Sequence, residues 1–193
     1  MRLDILDRGY GTGTKLLFTL IRVVSGQPVP DAAKLVFYRP DFYGARAKKF
    51  THEAMRGRST WSVADRELMA AFVSKVNGCT FCVDAHTATA GRRTRMVRRF
   101  GRCWPTWNRP PSRTGCGRTL RMLGKLTREG MVGVEDMREV LSAGVTRRQV
   151  EDALAVCAAF NTTDRLADAF GFELLSPAGF EAGAEYLLKW GYR

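Results

Sequence analysis

Cys79-Thr80-Phe81-Cys82 sets two thiols three residues apart, a spacing that puts both sulfurs on one side of a helix. Thiols so placed can close and reopen a disulfide. At the start of a helix, unpaired backbone N–H groups and the positive end of the dipole favour thiolate over thiol, and the thiolate is the nucleophile. His86 follows Cys82 by four residues, one turn along the same face, where its imidazole can accept a thiol proton. Glu67, twelve residues before Cys79, falls on the preceding helix, from which its carboxylate can reach the same pocket and orient the imidazole.

Plainer readings compete with this one. Two cysteines in a helix also serve as small core residues, and a glutamate near a helix start is commonly a solvated first-turn acid. The chain has only two histidines, so one falling a single turn past the cysteine pair favours chemistry over packing. Zinc is the sharper competitor, because Cys, Cys and His are natural ligands. A structural zinc takes four protein ligands, however, and the remaining candidates, His52 and Cys157, form no second ligand pair. The site is therefore expected to hold no metal or other cofactor. His52, within Thr51-His52-Glu53, reads as a surface or packing residue.

The elements that must position these groups read as helices. Ser62 is a candidate N-cap, with Asp65 and Glu67 in the first turns and Leu68, Ala71, Phe72 and Val76 at helical spacing. Gly78 ends that helix, and Cys79 to Ala90 forms the next one, packed against it through a tight turn. Helical patterns also cover Lys15–Val24, a stretch from Asp31 to Val36, Ala45–Met55, Leu120–Leu126, Val134–Leu141, Arg147–Gly171 and Pro177–Trp190. Strand signals and repeats are scarce, so the expected fold is all-α, a single-domain antiparallel helical bundle.

At 193 residues, 45% hydrophobic and 26% charged, the chain fits one folded domain. The apolar run Leu16 to Ile21 is too short for a membrane span and is broken by Arg22. Five cysteines, an odd number in no framework spacing, suit a reducing compartment, so the cytoplasm is the expected location. A net charge of +12 raises nucleic acid as a partner. Nine of those charges are arginines within Gly91 to Arg118, a stretch with no acid, so the rest of the chain carries only three. Neither nucleic acid nor membrane is expected as a partner.

The run Ser62-Val63-Ala64-Asp65-Arg66-Glu67-Leu68, followed by Ser74-Lys75-Val76-Asn77-Gly78-Cys79-Thr80-Phe81-Cys82-Val83-Asp84-Ala85-His86, resembles the alkylhydroperoxidase D-like, peroxidase-related branch of the carboxymuconolactone decarboxylase family. Gly144-Val145-Thr146, Val150 to Leu154 and Phe160-Asn161-Thr162-Thr163-Asp164-Arg165-Leu166-Ala167 resemble its C-terminal helices. The resemblance implies the helical alkylhydroperoxidase D-like fold, assembly into trimers or larger rings, and a peroxidase without metal or haem. It further implies that Cys82 attacks a hydroperoxide and becomes a sulfenic acid, that Cys79 resolves it as a disulfide, and that His86 and Glu67 relay the proton. A dihydrolipoyl- or thioredoxin-like thiol donor would then reset the pair. The chain departs from the best-known members at Phe81, where they carry a histidine. Two other readings keep the scaffold: a lactone decarboxylase, in which the cysteines would be unnecessary, and a helical assembly protein with a vestigial redox pair.

Gly91 to Arg118 breaks the surrounding pattern and reads as no helix, with Trp104, Trp107, Cys103, Cys116 and the Pro110-Pro111 pair among its arginines. Taken literally it is a basic arm with interleaved aromatics for single-stranded nucleic acid, and the reading preferred to that is a disordered or excursion loop. Codon arithmetic supplies another reading. If each codon begins at the third base of the present one, Cys103-Trp104 must encode Leu, Trp104-Pro105 Ala and Trp107-Asn108 Glu. The two junctions between permit Asp and Val, so the stretch spells Leu-Ala-Asp-Val-Glu. That is ordinary helix-forming sequence, and it points to a compensated frameshift, which the nucleotide sequence decides.

Overall fold

The computed structural model describes residues 5–38, 40–93 and 115–192 of the chain. Among these the fold is all-α, as the sequence predicts. The helices are α1 (Ile5–Arg8), α2 (Thr12–Ser25), α3 (Asp31–Tyr38), α4 (Ala45–Arg56), α5 (Val63–Asn77), α6 (Thr80–Arg93), α7 (Gly115–Glu129), α8 (Val134–Ser142), α9 (Arg147–Phe170) and α10 (Pro177–Trp190). A π-helical turn, Pro40–Gly44, leads directly into α4. Neither that turn nor α1 has a signal in the sequence pattern. Gly44 closes it by coming against the Val36 carbonyl, where a Cβ would collide with backbone.

Helix α5 starts where its cap permits. The Asp65 N–H donates to Ser62 Oγ at 3.1 Å, and the Ser62 N–H donates to Asp65 Oδ2 at 3.1 Å, so two groups at the helix start satisfy each other. It stops at Gly78, whose φ of +81° is a left-handed conformation that a side chain would strain. That turn lets the Cys79 N–H donate to the Ser74 carbonyl at 3.0 Å, and α6 begins one residue later. The same reciprocal cap, Thr146 with Gln149, starts α9.

Helix α5 is the centre of the bundle, packed by α6, α7 and α9, while α10 covers α6 and α4 lies against α9. Met69, Ala70 and Val73 of α5, Leu123 of α7, and Ala153, Val156 and Phe160 of α9 are almost wholly removed from water. Large side chains buried this way contribute about 1.5–3 kcal/mol each, which makes the α5–α7–α9 contact the rigid frame behind the cysteine turn. Helix α2 has no buried residue and leaves Leu16, Leu20, Val23 and Val24 exposed. Among the described residues no helix is long and apolar enough to cross a membrane.

The arginine-rich stretch needs correction at both ends. Gly91–Arg93 continues α6 and Gly115–Arg118 opens α7. The expected absence of helix overlooked acids elsewhere in the chain. Arg92 Nε donates to Glu181 at 2.7 Å and Nη1 to Glu185 at 3.3 Å, both on α10, while Arg118 pairs with Glu139 of α8. The reading of the middle of this stretch, including its shifted reading frame, falls on 94–114, outside the described residues.

Candidate active site

The cysteine turn brings both sulfurs together as the spacing predicts, but it lowers the pKa of only one of the two thiols, against the expected activation of both. Cys79 stands at the N-terminal boundary of α6 and Cys82 in its first turn, both 3% exposed or less. The sulfurs lie within 4.8 Å of each other and of a carboxylate oxygen of Asp164. The Cys82 thiol donates towards the Cys79 sulfur, which also receives the Cys82 backbone N–H, and together they pull the Cys79 thiol below its ordinary range against burial. Cys82 moves the other way: its bond to Cys79, its burial and the Asp164 charge all push its thiol up.

Glu67 and His86 meet as predicted, with His86 Nδ1 at 2.7 Å from Glu67 Oε2. With the proton on Nδ1 and given to Glu67, Nε2 is the nitrogen left to accept one. The plain reading of Glu67 as a solvated first-turn acid is overturned, because the side chain has no exposure. Such burial is tolerable only with partners. Arg56 Nη2 donates to Glu67 Oε1 at 2.6 Å, and the Tyr192 hydroxyl donates to the same oxygen at 3.2 Å. Burial raises the Glu67 pKa, but the His86 bond and the charges of His86 and Arg56 outweigh it, and the carboxyl sits below its ordinary value.

Three side chains of this constellation carried no assignment from sequence: Arg56, Tyr192 and Asp164. Arg56, the last residue of α4, also donates to the Met55 and Leu187 carbonyls, which ties α4 to α10. Tyr192 follows α10; its ring lies 5.1 Å from the Arg56 guanidinium and stacks on His86 at 6.4 Å. Burial, then the Glu67 charge, raises the Tyr192 pKa well above the usual phenol range, so this hydroxyl stays a donor. Asp164 had a usable signal. It falls on the stripe Ala153, Cys157, Phe160, Asp164 and Ala167 that α9 buries, where a carboxylate needs a reason.

Tyr192→Phe removes one bond to Glu67 and keeps the ring. Stability is expected to fall by about 1 kcal/mol, read as a lower urea midpoint; an unchanged midpoint would show that Arg56 and His86 satisfy Glu67 without help.

The zinc set weighed from the sequence is not brought together. His52 accepts the Tyr192 N–H at 3.2 Å, a packing role, and the Cys157 sulfur receives Asn161 Nδ2 at 3.2 Å. Among the described residues one group offers three donor atoms within 4.8 Å of each other, namely Cys79, Cys82 and Asp164, one fewer than a closed structural zinc site takes.

The described helices thus form a bundle that presents a buried dithiol at a helix start beside a buried Glu–His pair. Residues 40–94, which hold all four predicted site residues, match the model of the carboxymuconolactone decarboxylase family. The resemblance read from the sequence therefore holds over that segment. Among solved structures, the chain is similar to an uncharacterized peroxidase-related protein from Silicibacter sp. TM1040, with a TM-score of 0.73 and 23% identity over 92% of this chain and 93% of that one. It is also similar to the alkylhydroperoxidase AhpD core of an uncharacterized peroxidase-related protein from Ralstonia eutropha JMP134, with a TM-score of 0.66 and 21% identity over 90% of each chain. At these identities the likeness is one of fold. No curated protein matches the chain.

Proposed function

We propose that the protein is a thiol-dependent hydroperoxide reductase, acting in the cytoplasm without metal or haem. The observation that carries this reading is the pairing of two buried sulfurs on one helix start with a 2.7 Å Glu67–His86 contact one turn away. Once Cys82 has passed its proton to the Cys79 thiolate, the Cys82 thiolate attacks the terminal oxygen of the hydroperoxide; the O–O bond breaks, and the departing alkoxide leaves as an alcohol with a proton relayed through His86. Cys82 is then a sulfenic acid. Cys79 attacks that sulfur, water departs, and a Cys79–Cys82 disulfide remains. An external dithiol, of dihydrolipoyl or thioredoxin-like chemistry, takes the disulfide by exchange and restores both thiols. Two electrons pass from the donor to the peroxide in each turn.

Glu67 keeps the imidazole in one tautomer and supports it when it carries the proton. Assembly into a homo-oligomer belongs to the same proposal and would cover the apolar residues that α2 leaves exposed. Steady-state peroxide consumption with a dithiol donor tests the reading. Catalytic consumption is expected from the wild type, and its absence would favour a helical assembly protein with a vestigial redox pair.

A further inference from the structure

The buried carboxylate of Asp164 has no part in the relay just described, yet it is built into the dithiol site. It has no exposure, and both oxygens are held from α5: Ser74 Oγ donates to Oδ1 at 2.8 Å and Asn77 Nδ2 donates to Oδ2 at 2.8 Å. The Cys82 thiol bonds it as well, and none of these described donors is charged, so the desolvated carboxylate has its proton affinity raised. Its oxygen lies within 4.8 Å of both sulfurs.

We infer that Asp164 decides which of the two sulfurs carries the thiolate charge, keeping it on Cys79 while the carboxylate is ionised and releasing it to Cys82 when the carboxylate takes a proton. The transfer is one proton crossing one S–H···S contact: Cys79 thiolate and Cys82 thiol become Cys79 thiol and Cys82 thiolate. Nothing is oxidised. An ionised Asp164 lies near both sulfurs but is hydrogen-bonded by the Cys82 thiol, so it favours keeping that proton on Cys82, while a protonated one can donate to the Cys82 sulfur. Asp164 is thus a positioning residue, acting through the sulfur that attacks. The inference deepens the peroxidase reading and rests on it only for that consequence.

The other titratable groups around this cluster are Asp168 of α9, whose charge reaches Cys79, Cys157 of α9 and His86 of α6, which couple to Asp164, and Tyr192, which couples to Cys82 and to Glu67. Helix α10 presents Phe180, while its Glu181 and Glu185 are exposed and paired with Arg92. Among the described residues Asp164 is the carboxylate within 4.8 Å of both sulfurs, so its replacement should redistribute the charge.

The test is pulse alkylation of the reduced full chain with iodoacetamide across pH, with mass spectrometry locating the label on each cysteine peptide. In the wild type the labelling midpoint of Cys79 should lie below that of Cys82, a comparison in which differences of access cancel. Asp164→Asn should bring the Cys82 midpoint down by about one pH unit, tenfold in labelling rate below it. Ser74→Ala, which frees one carboxylate oxygen and raises its proton affinity, should shift Cys82 in the same direction by a smaller step, and it carries the test if Asp164→Asn fails to fold. Unchanged Cys82 midpoints in the folded variants, or a wild-type Cys82 midpoint below that of Cys79, overturn the inference. No peroxide is used. A chain inert to peroxide that shows the shift loses the reductase reading alone, and an active one without it loses this inference alone.

Discussion

Cys82→Ser is expected to lower hydroperoxide turnover with a dithiol donor by at least about a thousandfold, the scale on which removal of a nucleophile acts. Serine matches cysteine in shape at this 3%-exposed position, so the helix start and the Glu67–His86 pair should survive the change. What is lost is chemistry: an alcohol is not ionised here, and no disulfide can form with Cys79. Cys79→Ser should fail differently, consuming about one equivalent of peroxide and stopping at a sulfenic acid, which a dimedone adduct at Cys82 would report. Unchanged turnover in Cys82→Ser would remove the mechanism, whatever the fold.

The second large effect is on stability. Glu67→Gln leaves the Arg56 guanidinium facing a neutral amide inside the bundle, and removing one partner of a buried pair costs about 3–5 kcal/mol. Acid should erase this difference. The Glu67 carboxyl is lowered in the fold from its ordinary value of 4.5, mainly by the His86 bond and the charges of His86 and Arg56 acting against burial. A group with a depressed folded value contributes its stability in full above the unfolded value and loses it as pH falls through the folded one. The gap between wild type and Glu67→Gln in urea denaturation should thus be widest near neutrality and close below the ordinary carboxyl range. An equal gap at both ends would mean that Glu67 stabilises by packing rather than by charge.

Local patterns in the chain led to most of the helices, because caps and stops are written in adjacent residues. Ser62 with Asp65, Gly78, and Thr146 with Gln149 act where their types predict. The turn at Pro40–Gly44 was not legible, since its geometry depends on Gly44 meeting the Val36 carbonyl rather than on any periodicity. In the site, Cys79, Cys82, His86 and Glu67 could be found because two adjacent helices joined by a tight turn carry them all. Arg56 and Tyr192 could not, as one ends α4 and the other follows α10, 136 positions apart in the numbering, and they meet only around Glu67. Asp164 lies in a stretch that resembles a family motif, and the signal for its role is its place on the buried face of α9 rather than any spacing to the cysteines.

The arginine-rich edges teach a related lesson. Composition alone made Arg92 and Arg118 look like parts of one basic stretch, but each lies on a helix and faces acids from another. Exposed pairs of this kind are worth little individually; they remove a reason to expect a nucleic-acid surface at these two positions.

One measurement bears most directly on the central claim that Cys79 and Cys82 form a working redox pair. Reduced protein is treated with one equivalent of hydroperoxide, free thiols are counted before and after, and the bridged peptides are identified by mass spectrometry. The account predicts the loss of two thiols and a single Cys79–Cys82 bridge. An unchanged thiol count, or a bridge through Cys116 or Cys157, would contradict it.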